Sequence, residues 1–275
     1  MSTASAAGGL SLGRGQGPAT ARAPGQEVAL ERSLALGWLA VVPLVVAYEV
    51  ALALEPGAAR NTAEFLISLP FEALLTRPAP ARWTLEAVAT AAAAWSVFRV
   101  ELGLVRRVAR VGLEGLGAAA LLGPALLLLL SLLQVAPPEI GRPGAVTTPA
   151  DAARFAGGAA FEEVVFRAAS LCALGLAARW TLEWFLGAPR LARVLAEGAA
   201  LAGSALLFAA AHLDVVVGLV APGGEPYDGA RFAWRALAGL ALALLFRWRG
   251  MGVAAWCHAF FNLALALGAG PEVFL

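Results

Sequence analysis

The chain has 275 residues, 60% of them apolar and 14% charged, with a mean hydropathy of +0.76 and a formal net charge of +1. So much apolar side chain leaves too little polar surface for a water-soluble domain of this size. Arginines dispersed at the ends of apolar runs make no basic stripe, so the expected surroundings are a lipid bilayer and no nucleic acid is expected as a partner.

Residues 1–30 are rich in glycine, including Gly8, Gly9, Gly13, Gly15, Gly17 and Gly25, and show no apolar period, so they read as a flexible tail. Residues 31–275 read as a single transmembrane domain. Its first apolar run, Leu34 to Leu54, lacks a small-residue cleavage site and is expected to stay as a membrane helix. Asn61 to Leu75 mixes Phe65, Leu66 and Leu69 with Glu64 and Glu72, which suits an interfacial amphipathic helix. Further crossings are expected at Thr84–Val100, Leu113–Val135, Phe155–Ala178, Leu195–Val220, Phe232–Phe246 and Gly252–Leu267. Each is near the ~20 residues needed to cross hydrocarbon. The expected fold is therefore an all-α polytopic bundle with seven transmembrane helices, or eight if Asn61–Leu75 also crosses.

Finer signals fit this layout. Pro43 and Pro124 fall inside helices, where neighbours can re-satisfy a freed carbonyl. Thr147-Thr148-Pro149 followed by Asp151 marks a helix start. Trp83, Trp234, Trp248 and Trp256 sit near span edges, and the Gly- and Pro-rich stretch from Ala221 to Gly229 is a turn placed to cover one mouth of a site. Cys172 and Cys257 both lie in apolar segments and read as small buried hydrophobes. All twenty basic residues are arginine, and alternating loops place twelve on the side of the N-terminus against six opposite. That asymmetry puts the N-terminus in the cytoplasm.

Three polar signatures interrupt these apolar runs: Glu162-Glu163-Val164-Val165-Phe166-Arg167, Phe208 to His212, and His258 to Asn262. Ionisable groups at membrane depth cost ~2.5–3.5 kcal/mol each on insertion scales, so a chain that keeps several is expected to use them. Glu163 and Arg167, four apart, share a helix face and can pair, while Glu162 is turned ~100° away. His258 and Asn262 repeat the four-residue spacing and suit a metal or an oxyanion. One alternative is an ion-pair cluster that merely joins helices. Another is an ion-coupled transporter relay, although transporter sites favour two corresponding halves and these groups cluster in one. Taken together, carboxylate, imidazole and amide on three helices can build a hydrophilic pocket for a divalent ion or an activated water.

The order Glu-Glu-x-x-x-Arg, Phe-x-x-x-His and His-x-x-x-Asn on successive late helices resembles the CPBP family of intramembrane proteases, also called the CAAX protease and bacteriocin-processing or Abi family. That family includes the prenyl-protein CAAX endopeptidases. The likeness covers residues 155–267, which it implies are the catalytic core. It implies that Glu162 is the general base, with His212 beside it and Glu163 and Arg167 bracing the glutamate helix. His258 and Asn262 would be metal ligands or stabilise the oxyanion. It further implies a membrane-embedded or lipid-linked protein or peptide substrate and residence in the cytoplasmic (inner) membrane. Glu162, His212, His258 and Asn262 would form the metal set, with zinc the expected ion, although asparagine is an uncommon zinc ligand and a metal-free reaction would use the same residues. A scaffold or immunity protein of the same family, retaining the pocket without turnover, is the remaining alternative.

Overall fold

A computed structural model describes residues 33–55, 60–75, 78–98, 103–134, 146–218 and 224–269; the expected tail at residues 1–30 lies outside them. The described residues form helices α1 Leu34–Leu54, α2 Thr62–Leu74, α3 Pro78–Phe98, α4 Leu104–Leu132 and α5 Pro149–Glu163. After a π-helical segment at Val164–Leu171 come α6 Cys172–Leu186, α7 Pro189–Ala210, the single turn α8 Asp214–Val217, α9 Gly229–Arg249 and α10 Met251–Ala266. Among them no strand forms, apart from one isolated bridge between Leu213 and Glu225.

Among the described residues four helices are both long and apolar enough to cross a membrane: α1, α4, α7 and α9. The other three expected crossings fall short for different reasons. Helix α3 has 21 residues but carries Arg82, Glu86 and many alanines. The run through α5, the π segment and α6 is continuous but charged at its centre, and α10 is apolar but has 16 residues. Helix α2, with 13 residues, is about 20 Å long, too short for a ~30 Å hydrocarbon core.

Local chemistry sets the ends of these helices. The α5 start is a capping box: the Asp151 N–H donates to Thr148 Oγ1 at 3.0 Å, while the Asp151 carboxylate accepts from the Thr148 N–H at 3.0 Å, with Pro149 in the first turn. Hydrogen bonds from the Thr147 N–H and hydroxyl hold the Asp151 carboxyl well below the usual carboxylate range. Pro43 and Pro124 lie inside α1 and α4. The polypeptide turns from α6 into α7 at Gly187, whose φ of +58° favours glycine.

Helix α2 is amphipathic in an unusual sense. Its buried face carries Glu64 and Ser68, paired with Arg82 of α3, while Leu69, Leu74 and Leu75 point outward. The surroundings are apolar, so it is the polar face that must find protein partners.

Close helix contacts are made where side chains are absent. A Cβ on Gly157 would sit 2.5 Å from Tyr48 Cβ and 2.6 Å from the Leu44 carbonyl, so α1 lies directly against α5. Helix α1 also packs on α3 and α10, and α10 packs on α4, α5 and α9. Indole N–H groups tie α10 to α1 and α9 to α4: Trp256 to the Ala40 carbonyl at 2.8 Å and Trp234 to the Leu126 carbonyl at 2.9 Å. Of the tryptophans expected near span edges, Trp83 and Trp248 are exposed, whereas Trp234 is interior and uses its N–H between helices.

Gly157→Ala should therefore lower stability by about 1–3 kcal/mol through overpacking, while Gly198→Ala in α7, which meets nothing within 4 Å, should raise it by about 0.5–1 kcal/mol. Thermal unfolding of both variants in detergent, with opposite shifts of Tm, checks this.

Candidate active site

The double glutamate stands where α5 gives way to the π-helical segment. Such a segment bonds i→i+5 and leaves ordinary helical carbonyls unserved. Here side chains supply partners: Ser204 Oγ of α7 donates to the Phe166 carbonyl at 2.7 Å, and Ser170 Oγ donates to the Val165 carbonyl at 2.8 Å. The Glu162 and Glu163 carboxylates part company at this junction. Glu162 lines a cavity of about 410 Å³, and Glu163 is sealed behind it with no exposure.

Glu163 Oε1 lies 3.2 Å from Arg167 Nη1 and 3.0 Å from His258 Nδ1. The pairing expected from the four-residue spacing is present, and it reaches a third group on α10. Arg167 is fully buried, donates through Nη2 to the Gly239 carbonyl at 3.1 Å, and stands 4.5 Å above the ring centre of Phe208. Gly239 keeps that approach open, since a Cβ there would meet Phe208 Cδ1 at 3.0 Å.

His212 differs from its expected place in the middle of a span. Helix α7 ends at Ala210, and the His212 N–H bonds to the Ala209 carbonyl at 3.3 Å. That leaves the Phe208 carbonyl without its helical partner, and His212 Nδ1 supplies one at 2.8 Å. The ring thus caps the helix whose backbone it interrupts. Asn262 donates its amide to the Phe155 carbonyl at 3.2 Å.

Glu162, His212, His258 and Asn262 all line the one cavity, brought there by α5, the end of α7 and α10. The Glu162 Oε2 to His258 Nε2 distance is 3.7 Å. Phe208 stands between the two imidazoles, with ring centres 5.0 Å from His212 and 5.7 Å from His258. Among the described residues no group of three His, Cys, Asp or Glu side chains is gathered as a metal shell. Each imidazole has Nδ1 committed to an oxygen, so in the neutral ring the free lone pair belongs to Nε2.

Several lining residues were not singled out in the sequence. Asn61, the N-cap of α2, donates Nδ2 to Glu162 Oε1 at 2.7 Å. Glu225 and Arg235 pair at 2.7 Å, and Arg231 approaches the same carboxylate at 3.4 Å. Burial pushes the Glu225 carboxyl up, but Arg235 and then Arg231 outweigh it and hold the group below the usual carboxylate range. The Glu225 N–H bonds to the His212 carbonyl at 2.9 Å and its own carbonyl accepts from the Asp214 N–H at 2.9 Å, so Glu225 is held beside His212; residues 221–223 of the loop expected to cover the site lie outside the described residues. Arg235 was legible as an ionisable residue inside an expected span, by the reasoning that selected Arg167; Asn61 carried no comparable signal. Cys172 and Cys257 are free thiols; Cys257 is buried and borders the cavity, whereas Cys172, expected to be buried, is exposed.

Residues 148–264 match the model of the type II CAAX prenyl endopeptidase Rce1-like family. The match begins at the α5 cap and includes all three polar signatures, so this segment is similar to the CAAX protease family that the motif order resembles. The family is one of peptidases, and the apolar helices make the chain an integral membrane protein. No curated protein and no solved structure matches the chain.

Glu163→Leu should destabilise the protein by about 3–5 kcal/mol, because it leaves the Arg167 guanidinium buried without its carboxylate. The double variant Glu163→Leu/Arg167→Leu should lose less than the single one, as read from Tm in detergent; a double variant worse than either single change would contradict the pairing.

Proposed function

We propose that the protein is an intramembrane endopeptidase that hydrolyses a peptide bond of a membrane-embedded or lipid-linked protein or peptide. The observation that carries this reading is the enclosure of Glu162, His212, His258 and Asn262 in one cavity among apolar helices, within a segment of CAAX protease sequence. Peptide hydrolysis needs an activated water and donors for the charge that develops on the carbonyl oxygen. Glu162 serves as the general base, with His212 beside it. In the metal-free form of the reaction a protonated His258, oriented by Glu163, and the second N–H of the Asn262 amide stabilise the oxyanion; with a cation bound, His258 Nε2 is a ligand instead. Arg167 holds Glu163, so these two brace the site without touching substrate.

Glu162, His212 and His258, with Asn262 beside them, would hold a divalent cation, zinc by the character of the donors. Bound there, it would lower the pKa of a water and polarise the scissile carbonyl. The apolar walls, with Leu126, Phe155, Leu242 and Phe261 among them, suit a hydrophobic peptide segment more than a charged one. The bundle is read as seven crossings in the cytoplasmic (inner) membrane, with α3, the α5–α6 run and α10 added to the four long apolar helices and the N-terminus in the cytoplasm. Packing against neighbours allows these less apolar segments to sit at membrane depth.

Two tests follow. With a quenched fluorescent peptide carrying an S-farnesyl cysteine three residues from its carboxyl end, in liposomes, Glu162→Gln and His212→Ala should each lower kcat by about 10²–10⁴-fold, with Tm unchanged in Glu162→Gln and lowered in His212→Ala by loss of the cap on the Phe208 carbonyl. Undiminished turnover in both would sink the assignment. For the metal, elemental analysis of the purified protein should find about one zinc per chain, lost in His212→Ala and His258→Ala. A parent protein fully active with none bound would leave the metal-free reaction.

A further inference from the structure

Asn61 lies 101 residues before Glu162 and outside the segment that matches the family, yet its amide makes the shortest polar contact to the Glu162 carboxylate, at 2.7 Å. The direction of that amide is fixed. Its Oδ1 accepts the N–H groups of Ala63 at 2.9 Å and Glu64 at 3.4 Å as the N-cap of α2, which leaves Nδ2 as the group facing Glu162. The Asn61 main-chain N–H is held by the Tyr48 hydroxyl at 2.7 Å. Gly158 leaves the space it needs, since a Cβ there would come within 2.8 Å of Asn61 Nδ2.

The helix behind this amide is held equally firmly. Glu64 pairs with Arg60 at 2.7 Å and with Arg82 of α3, and Arg82 reaches Glu49 of α1 at 2.6 Å. These contacts tie the start of α2 to two neighbouring helices.

A glutamate carboxylate turns easily about its last torsion, which has broad, roughly two-fold wells. A donor fixed on one oxygen removes that freedom and leaves the other oxygen to act. Asn61 engages Oε1, and Oε2 is the oxygen turned toward His258 Nε2 at 3.7 Å.

We infer that Asn61 is a positioning residue for Glu162: it pins Oε1, presents Oε2 to the reacting water, and makes helix α2 part of the active site. This rests on Glu162 being the general base.

Two variants separate positioning from helix capping. Asn61→Ser keeps a good N-cap but is too short to reach Glu162. Asn61→Asp keeps cap and length but turns a carboxylate toward Glu162, where a like charge opposes it. On the farnesylated peptide, Asn61→Ser should lower kcat about tenfold with KM unchanged, the size expected from losing one hydrogen bond to a charged group, and Asn61→Asp should lower it further. A readout without substrate is the thermal stability cycle: Asn61→Ser should lower Tm in the parent and have no effect in a Glu162→Ala background. Parental kcat in both Asn61 variants, or equal Tm losses in both backgrounds, overturns the inference. If Glu162→Gln is inactive while Asn61→Ser turns over normally, this inference alone fails; if Glu162→Gln is active, the assignment of the base fails with it.

Discussion

A carboxylate sealed among helices, with no exposure, must be compensated from within the protein, and Glu163 is such a group. Arg167, one turn on, supplies the opposite charge, and His258 reaches the same oxygen from α10. Arg167 would itself be costly without the Gly239 carbonyl and the face of Phe208. Four elements therefore converge on one buried charge: the α5–π junction, α7, α9 and α10. The cavity in front of them inherits its shape from this convergence, because the ring of His258 is aimed by its Nδ1 bond to Glu163.

That arrangement separates two adjacent glutamates by environment. Glu163 spends its charge on structure. Glu162, turned about a quarter of the helix away, meets the cavity, an amide and an imidazole. The π-helical segment that begins immediately after them loosens the backbone where Arg167 must reach back, and Ser204 and Ser170 take up carbonyls that a regular helix would have served. π-helical turns are often found at functional sites, and here the irregularity is enclosed by protein, the condition under which a bilayer tolerates it.

Much of this was legible in the sequence. The three polar signatures stand out because they contradict their apolar surroundings, and the i,i+4 spacing correctly joined Glu163 to Arg167. The bounds of α1 match the expected Leu34–Leu54. Hydropathy did not foresee that α7 stops short of His212, because Ala209-Ala210-Ala211 gives no stop signal; the break rests on the imidazole taking over the Phe208 carbonyl. Nor did it foresee the pairing of Glu64 with Arg82, since charges that neutralise each other across helices look, one helix at a time, like an interfacial face.

The matched segment does not close its cavity alone. Tyr48 and Asn61 come from α1 and the start of α2, and Leu122 and Leu126 come from α4, all before residue 148. Their contribution is set by packing that no single helix records: Gly157 admits Tyr48, Gly158 admits Asn61, and Gly115 of α4 leaves room for Trp256 of α10, where a Cβ would come within 2.4 Å of the Trp256 Cβ. Small residues at helix crossings thus decide which side chains from the first half of the chain reach the second half. The apolar helices of the first half do more than anchor the protein, because they form the wall against which a buried carboxylate is held in one orientation.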